Sequence, residues 1–401
     1  MSEHRDDTNN GFLQRVFRHP FRPETAYSAC GLIGLAVALP SSMVVAAHGG
    51  LSPVQMAVTG VGSFAVLLGA GMAAKTLTGH ETLIYYRGVV AVFVVASAIP
   101  WILHRPVLMY MDVTILGSGI FLTCGRIGCL LVGCCHGQPS RWGIRYGKGH
   151  ARCGFPLRYV GVRLFPIQAV ESFFVFCLVA IGTVTLWEGT PPGTVLSFYI
   201  VAYALGRFFI EFVRGDAARR YFAGFSEAQW TSLLLTIAFA IAERRAILPA
   251  SRWHGLAAIG LVLCVVFCTA WRRFDRSRRF ELLQPRHVDE IMAALDHLKN
   301  LQLMTGLRQN TNANIESLHI AETRVGYRIS AGKTVMGNRS VEHYSLSRGN
   351  PSLTASAALK LSRVIGCLKH DSSSFRLIQG RAGVFHLLFD HKGEGEPLSS
   401  G

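Results

Sequence analysis

The sequence predicts an all-α polytopic membrane protein of about seven or eight transmembrane helices, with a small α+β soluble C-terminal domain. Half of its 401 residues are hydrophobic, only 16% are charged, and the mean hydropathy is +0.32. Soluble domains usually carry about 25% charged residues, so this chain lacks the charge that solubility needs. The shortage of charged residues ends near Arg272. We therefore predict a polar basic tail at residues 1–25, a membrane domain at 26–271 and a soluble basic domain at 272–401.

The membrane domain consists of long apolar segments separated by polar loops. A helix needs about 20 mostly apolar residues to cross the hydrocarbon core, which is about 30 Å thick. The seventh segment is short, and its assignment is left open. No cleavable signal peptide is expected, because the first segment lacks a small-residue cleavage site and another span follows it directly. The candidate spans are Tyr27–Ala46, Pro53–Ala74, Leu83–Leu103, Val113–Val132, Ile167–Trp187, Thr194–Val213, Ala228–Ala242 and Gly255–Trp271.

The soluble domain alternates helical and extended patterns. Apolar residues recur at helical spacing after Pro285, which predicts an amphipathic helix there. A second helix is predicted at Leu353–Leu368. The extended segments, the last two of which form a predicted hairpin, are Thr323–Ser330, Val341–Arg348, Phe375–Ile378 and Gly383–Phe389.

The strong positive charge points to lipid and not to nucleic acid. The formal net charge is +16 and the isoelectric point is near 9.7. The basic clusters adjoin the spans, where they face anionic headgroups, so membrane lipids are the expected partners. These clusters lie at Arg15–Arg22, Arg141–Arg163, Arg214–Arg220 and Arg272–Arg279. Eight spans with both ends inside would satisfy the positive-inside rule.

Charged residues inside the spans are the candidates for chemistry. An arginine near the bilayer centre costs roughly 2.5–3.5 kcal/mol on insertion scales, so it normally faces a cavity or a partner. Arg126 lies near the end of the fourth span, and Arg207 and Glu211 lie four residues apart in the sixth. Gln168 and Glu171 share a face of the fifth span. We predict that these five residues converge on one polar cavity, where arginine forks suit a phosphate; structural pairing between helices is the alternative.

Four motifs in order resemble the prolipoprotein diacylglyceryl transferase family. They are Gly125-Arg126-Ile127-Gly128, then Pro166-x-Gln168-x-x-Glu171, then Gly206-Arg207-Phe208-x-x-Glu211-Phe212-x-Arg214, and Ser226-x-x-Gln229-Trp230. The resemblance implies a multi-pass enzyme of the bacterial inner membrane. Such an enzyme transfers the diacylglyceryl group of phosphatidylglycerol to the lipobox cysteine thiol of prolipoprotein signal peptides, in lipoprotein biosynthesis. It releases glycerol phosphate and requires no cofactor.

The resemblance also assigns roles to residues. Arg126 and Arg207 would hold the lipid phosphate and stabilise the leaving group, and Glu211 would hold Arg207 in place. Gln168 and Glu171 would line the cavity. The remaining positions expected to bind substrate are Tyr27, Gly125, Gly128, Arg214 and Gln229. For Tyr27 and Gln229 an interfacial anchor is the alternative, and Arg214 at a helix end would alternatively extend toward the interface.

The chain departs from the family pattern at proton-transfer positions. Cys129 and Cys134 stand where the family usually has an asparagine and then an acidic residue. Tyr85-Tyr86-Arg87-Gly88 replaces a histidine followed by paired glycines, and Phe165 replaces another histidine. His136 is the nearest replacement base. These departures leave a second hypothesis open, a catalytically divergent paralogue that binds phospholipid or modifies another acceptor.

The cysteines near the fourth span raise a third hypothesis, a metal-binding thiol protein. Cys129 and Cys134 are five residues apart on a predicted helix, and they lack the matched second pair of the usual zinc motifs. Gly133 and Gly137 beside them favour tight helix packing. We therefore expect no metal site, and His136 alternatively serves as an ordinary polar residue at a helix end.

The resemblance and the charge pattern disagree about orientation. In the family, the loop after the fourth span faces outward. The arginines and the lysine in this chain's loop would instead place it in the cytoplasm. We expect the family orientation, because basic residues there can hold anionic lipid. With an even number of spans, the soluble domain would then lie outside, on the same side as this loop.

Overall fold

The computed structural model describes residues 23–78, 84–216, 220–274, 284–308, 320–336, 339–369 and 375–390. Most of the predicted N-terminal tail therefore lies outside the described residues. The helices of the membrane region are α1 (Pro23–His48), α2 (Pro53–Thr78), α3 (Ile84–Ile102), α4 (Val107–Val132), α5 (Ile167–Trp187), α6 (Thr194–Ile210), α7 (Glu227–Arg244) and α8 (Arg252–Phe274).

Six of these helices are long and apolar enough to cross a membrane: α1, α2, α4, α5, α8, and α6 together with the short helical turn that follows it. The polytopic membrane fold is thereby confirmed. The third candidate span has a shorter apolar part at Val90–Ile102. Glu227, Glu243 and Arg244 lie at the ends of α7 and shorten its apolar run. The third and seventh spans therefore stay predictions.

Helix α4 lies at the centre of the membrane region, packed against α1 and α5. Small residues allow this approach. A β-carbon on Gly117 would lie 2.3 Å from Ser42 Oγ, and one on Gly128 would lie 3.1 Å from the β-carbon of Cys30. Both neighbours belong to α1, so the two backbones come close along much of their length. This packing brings the start of α1 beside the end of α4, where Arg126 lies.

The segment between α4 and α5 forms a small folded cap. Strand β1 (Pro139–Arg145) pairs antiparallel with β2 (Arg163–Leu164), and a 3-10 turn at Leu157–Tyr159 lies between them. After α6, the hairpin of β3 (Tyr221–Phe222) and β4 (Phe225–Ser226) precedes α7.

The C-terminal domain is an α+β fold, as predicted. Its strands are β5 (Ile320–Glu322), β6 (Tyr327–Met336), β7 (Arg339–Arg348), β8 (Phe375–Gln379) and β9 (Val384–Asp390). They form one antiparallel sheet in the order β5-β6-β7-β9-β8, on which the helices α9 (Pro285–Arg308) and α10 (Ala355–Leu368) pack. The expected closing hairpin is confirmed as the pair β8–β9.

One predicted strand is wrong in its bounds. The segment Thr323–Ser330 begins as a turn, in which the Gly326 N–H donates to the Thr323 carbonyl at 2.8 Å. Gly326 has φ +85°, a left-handed conformation that glycine adopts without a steric penalty. The alternating pattern concealed this reversal, and the strand starts at Tyr327.

The soluble domain packs on the cap that follows α4. Tyr159 and Leu164 of the cap share one buried apolar cluster with Ile291 of α9 and Leu361 of α10. At the edge, Arg158 donates to Asp289 at 3.2 Å. The ends of α4 and α8 therefore lie on the same side of the membrane region. This agrees with an even number of crossings between the cap and the soluble domain.

Asp112 connects α4 to α6 in the buried interior. Its carboxylate accepts from the N–H of Gly193 at 2.6 Å and of Leu196 at 2.7 Å, which are unpaired donors at the start of α6. Asp112 is 2% exposed, so water cannot replace it. The carboxylate thus acts as a helix cap supplied by another helix.

We expect Asp112→Ala to lower the free energy of unfolding by about 2–4 kcal/mol, because two buried N–H groups lose a charged acceptor. Thermal denaturation of the detergent-purified protein measures this. Thr123→Val is the matched control, since the Thr123 hydroxyl only bonds the Gly119 carbonyl of its own helix. Equal stability of the two variants would show that the Asp112 contacts contribute little.

Candidate functional site

Glu171 is the centre of a buried ion-pair cluster. It is 1% exposed and lies on the first turns of α5, facing α4 and α6. Its Oε1 lies 3.0 Å from Arg126 Nη2 and 3.9 Å from Arg207 Nε. Its Oε2 lies 3.7 Å from Arg214 Nη1, and Tyr203 donates to Oε1 at 2.9 Å. One carboxylate thereby holds three guanidinium groups from three segments of the chain.

Two further carboxylates complete the cluster. Glu211 Oε2 lies 2.7 Å from Arg207 Nη1, one helical turn away, and Asp216 accepts from Arg214 at 2.6 and 3.0 Å. Gly206 allows α5 to approach, since a β-carbon there would lie 2.3 Å from the Phe174 ring. The predicted pairing of Arg207 with Glu211 is thus found. Arg214 is 1% exposed, so it does not extend toward the interface.

The arginine cluster borders a cavity of about 1240 Å³ between α1, α2, α4 and the cap. Its inner wall is apolar, and its polar end holds five arginines against three acids, which gives that end a positive balance. Gly125 leaves open space there, with no atom within 4 Å of a β-carbon position. Six of the predicted site residues line this cavity: Tyr27, Gly125, Arg126, His136, Arg207 and Arg214.

The other predicted residues lie behind the cavity wall and support it. Glu171 and Glu211 hold the arginines, and Gly128 admits α1 against α4. Gln168 donates from its side chain to the Cys134 carbonyl at 2.7 Å. Gln229 closes the start of α7, accepting from Ser226 N–H at 2.9 Å and donating to the Phe208 carbonyl at 3.3 Å. These contacts give Gln168 and Gln229 local structural roles, and direct substrate binding by them stays a prediction.

The chain reverses directly after α4 and gathers three thiols. Gly133 ends the helix at φ +88°, and Cys135 has φ +56°. The sulfur atoms of Cys129, Cys134 and Cys135 all lie within 4.8 Å of one another. Hydrogen bonds with Cys129 and Cys134 lower the pKa of the Cys135 thiol well below its usual value; burial opposes this shift, and the charges of Arg214 and Arg126 assist it.

His136 is buried beside this turn, with Phe155 and Tyr159 against its ring. Its Nδ1 lies 2.9 Å from the Gly137 carbonyl. A carbonyl oxygen only accepts, so Nδ1 carries the hydrogen, and in the neutral ring Nε2 holds the lone pair. His136 can therefore accept a proton at Nε2, and its role as a base stays a prediction.

Three contributors to the site were not identified from the sequence. Tyr203 and Asp216 bond directly to the cluster, and Asp289 of the soluble domain lines the cavity. The four-residue spacing from Tyr203 to Arg207 was a usable signal for the first. No sequence signal connects Asp289 to the membrane region, because docking alone brings it there. The side chains of Tyr85, Tyr86 and Arg87 lie outside the described part of the structure.

The six candidate spans define a multi-pass membrane protein, and it contains an internal cavity lined by arginines. Residues 77–243 match the family model of prolipoprotein diacylglyceryl transferase. The chain is similar to this family over that segment, which makes up less than half of its length. The matched segment contains the arginine cluster and the cysteine turn.

Curated relatives support the same family. A Clostridium perfringens protein named phosphatidylglycerol–prolipoprotein diacylglyceryl transferase 2 is 36% identical over 134 residues, covering 33% of this chain and 49% of the relative. Proteins of the corresponding name are 31% identical over 153 residues in Clostridium tetani, covering 37% and 57%, and 34% identical over 131 residues in Dehalococcoides mccartyi, covering 33% and 48%. The chain thus spans about half the length of the curated relatives it matches.

Proposed function

We propose that this protein transfers the diacylglyceryl group of phosphatidylglycerol to the lipobox cysteine thiol of prolipoprotein signal peptides, as a multi-pass protein of the bacterial inner membrane. The observation that carries the proposal is the buried cluster of Arg126, Arg207 and Arg214 around Glu171 at the polar end of a largely apolar cavity. The names of the relatives support it.

The cavity suits an amphipathic anionic substrate. Its apolar wall between α1, α2 and α4 matches acyl chains, and the arginines at its polar end match a phosphodiester. Arginine stays charged in a medium of low dielectric constant and offers a planar fork of donors, so it holds a phosphate where water is scarce. In the proposed arrangement, Arg126 and Arg207 bind the phosphate from the cavity wall.

The reaction exchanges a carbon–oxygen bond for a carbon–sulfur bond. The acceptor thiol loses its proton to water, and the thiolate attacks the diacylglyceryl carbon that is bonded to the phosphate oxygen. The bond from that carbon to the phosphate oxygen breaks, and its electron pair leaves with glycerol phosphate. Arg126 and Arg207 stabilise the negative charge that this oxygen gains, while Glu171 and Glu211 keep both side chains in position.

Complementation of a bacterium depleted of its own transferase tests the proposal. We expect the wild-type protein to add a diacylglyceryl thioether to a reporter lipoprotein, seen as an increase in its mass. Arg126→Ala removes this increase because the phosphate loses a charged ligand. Arg152→Ala is the matched control, since Arg152 is exposed on the cap and outside the cavity lining.

An unmodified reporter in cells that contain the stably inserted wild-type protein would overturn this function. The cysteine replacements at Cys129 and Cys134 would then favour the divergent paralogue. Phospholipid that co-purifies with the wild-type protein but not with Arg126→Ala would identify a lipid-binding relative.

A further inference from the structure

We propose that Cys129, Cys134 and Cys135 form a binding site for one Zn²⁺ ion, with a fourth coordination position open to the cavity. Their sulfur atoms lie within 4.8 Å of one another. Zinc–sulfur bonds of about 2.3 Å place the sulfurs around one ion about 3.8–4.0 Å apart, so small side-chain rotations bring all three into range. Among the residues that the structure describes, no other group of three His, Cys, Asp or Glu residues has such spacing.

The expectation of no metal assumes that Cys129 and Cys134 lie on one continuous helix, and the structure differs there. Helix α4 instead ends at Val132, and Gly133 at φ +88° turns the chain back over its last turn. Cys134 and Cys135 therefore lie on a loop that returns to the sulfur of Cys129, and helical spacing does not apply.

The surrounding backbone fixes the turn. Gln168, which is 1% exposed, donates from α5 to the Cys134 carbonyl at 2.7 Å. The Gly137 N–H donates to the Phe165 carbonyl at 3.0 Å, and the Gly215 N–H to the His136 carbonyl at 2.9 Å. The backbone that carries Cys134 and Cys135 is thereby held by hydrogen bonds to three other segments, which supports the position of these two ligands.

The charges and the position of the cluster suit a zinc ion that takes part in the chemistry. Three thiolates and one Zn²⁺ leave one net negative charge, and Arg214 and Arg126 are the nearby positive charges that act on Cys135. All three cysteines line the cavity that Arg126 and Arg207 also line. Three protein ligands with a fourth position left open are typical of catalytic zinc, whereas structural zinc is closed by four.

This position gives the ion a role that rests on the proposed function. The acceptor thiol binds Zn²⁺ as the fourth ligand, and its proton is released to water in the open cavity. The bound thiolate then attacks the diacylglyceryl carbon that is bonded to the phosphate oxygen. That carbon–oxygen bond breaks, and glycerol phosphate leaves with the electron pair. The sulfur becomes a thioether, a weak ligand for zinc, and departs with the product. No oxidant or reductant is needed.

Metal content is the first test and does not depend on transferase activity. The full chain, purified in detergent without a polyhistidine tag, is expected to contain about one zinc ion per chain by elemental mass spectrometry. Cys129→Ser, Cys134→Ser and Cys135→Ser each lose most of it. Cys153→Ser is the matched control, because Cys153 lies on the same cap outside the cluster. Unchanged elution on size exclusion confirms that each variant is folded.

Cobalt substitution tests the open position. Co²⁺ loaded into the chelator-treated protein gives visible absorption typical of tetrahedral thiolate ligation. We expect a lipobox peptide to shift these bands, and the same peptide with serine in place of cysteine to leave them unchanged. The shift of the bands reports binding of the thiol to the ion even if no lipid is transferred. An absent shift therefore contradicts the open coordination position without bearing on the proposed transfer.

Three results would overturn the inference. The first is a wild-type protein that neither contains zinc nor binds added Zn²⁺. The second is equal zinc in the wild type and in the triple serine variant. The third is a disulfide among the three cysteines, shown by a mass two hydrogens lower and by resistance to alkylation, since this would identify a redox pair. If the protein binds zinc but the lipobox peptide does not shift the cobalt absorption bands, the open fourth coordination position is contradicted.

Discussion

We expect Glu171→Leu to destabilise the protein by about 3–5 kcal/mol, the largest single effect among the charged residues of the site. Glu171 lies within 4.0 Å of Arg126, Arg207 and Arg214, and it is buried with them. Its removal leaves three guanidinium groups facing one another without the shared counter-ion. Mutual repulsion then adds to the loss of three attractions.

Thermal denaturation in detergent micelles measures this effect, with Glu188→Gln as the control. Glu188 is exposed at the end of α5, so we expect a change within about 0.5 kcal/mol there. Glu171→Gln keeps the shape and some hydrogen bonds, and its stability should fall between those of the wild type and Glu171→Leu. A Glu171→Leu protein as stable as the wild type would show that the three arginines do not depend on this carboxylate.

The second large effect concerns the rate of transfer. We expect Arg207→Ala to reduce kcat/KM for glycerol phosphate release by at least about 100-fold, the usual cost of losing one donor that stabilises a developing oxyanion. Arg207 lines the cavity and is held by Glu211 at 2.7 Å. The measurement is the initial rate with phosphatidylglycerol vesicles and a lipobox peptide.

Arg207→Lys separates charge from geometry. Lysine keeps the positive charge but loses the planar fork, so its rate should lie between those of the wild type and Arg207→Ala. Glu211→Gln should lower the rate less than Arg207→Ala, because Glu171 still lies 3.9 Å from Arg207. An Arg207→Ala enzyme with wild-type kcat/KM would remove Arg207 from the proposed chemistry.

Much of the arginine cluster could be predicted from the sequence. Charged groups in apolar helices are costly, so Arg126, Arg207 and Glu171 had to face partners or a cavity. Asp216 follows the membrane segment on a loop, where an acidic residue is ordinary, and its bond to Arg214 could not be predicted. Arg214 itself lies just beyond α6 and is buried because the loop folds inward against Gly137.

The sequence by itself determined that this is a helical membrane protein, which of its segments are apolar enough to span the membrane, and that the C-terminal region is α+β. It also determined the residue types of the arginine cluster. These follow from local composition and period, which act over a few turns of one helix. Only the tertiary structure decided that Glu171 is shared by three arginines, that the soluble domain contributes Asp289 to the cavity, and that three thiols meet after α4. The first depends on how α4, α5 and α6 pack, and the thiol cluster depends on the direction in which the chain leaves α4. A single left-handed residue such as Gly133 sets that direction, and the hydropathy pattern does not indicate such a residue.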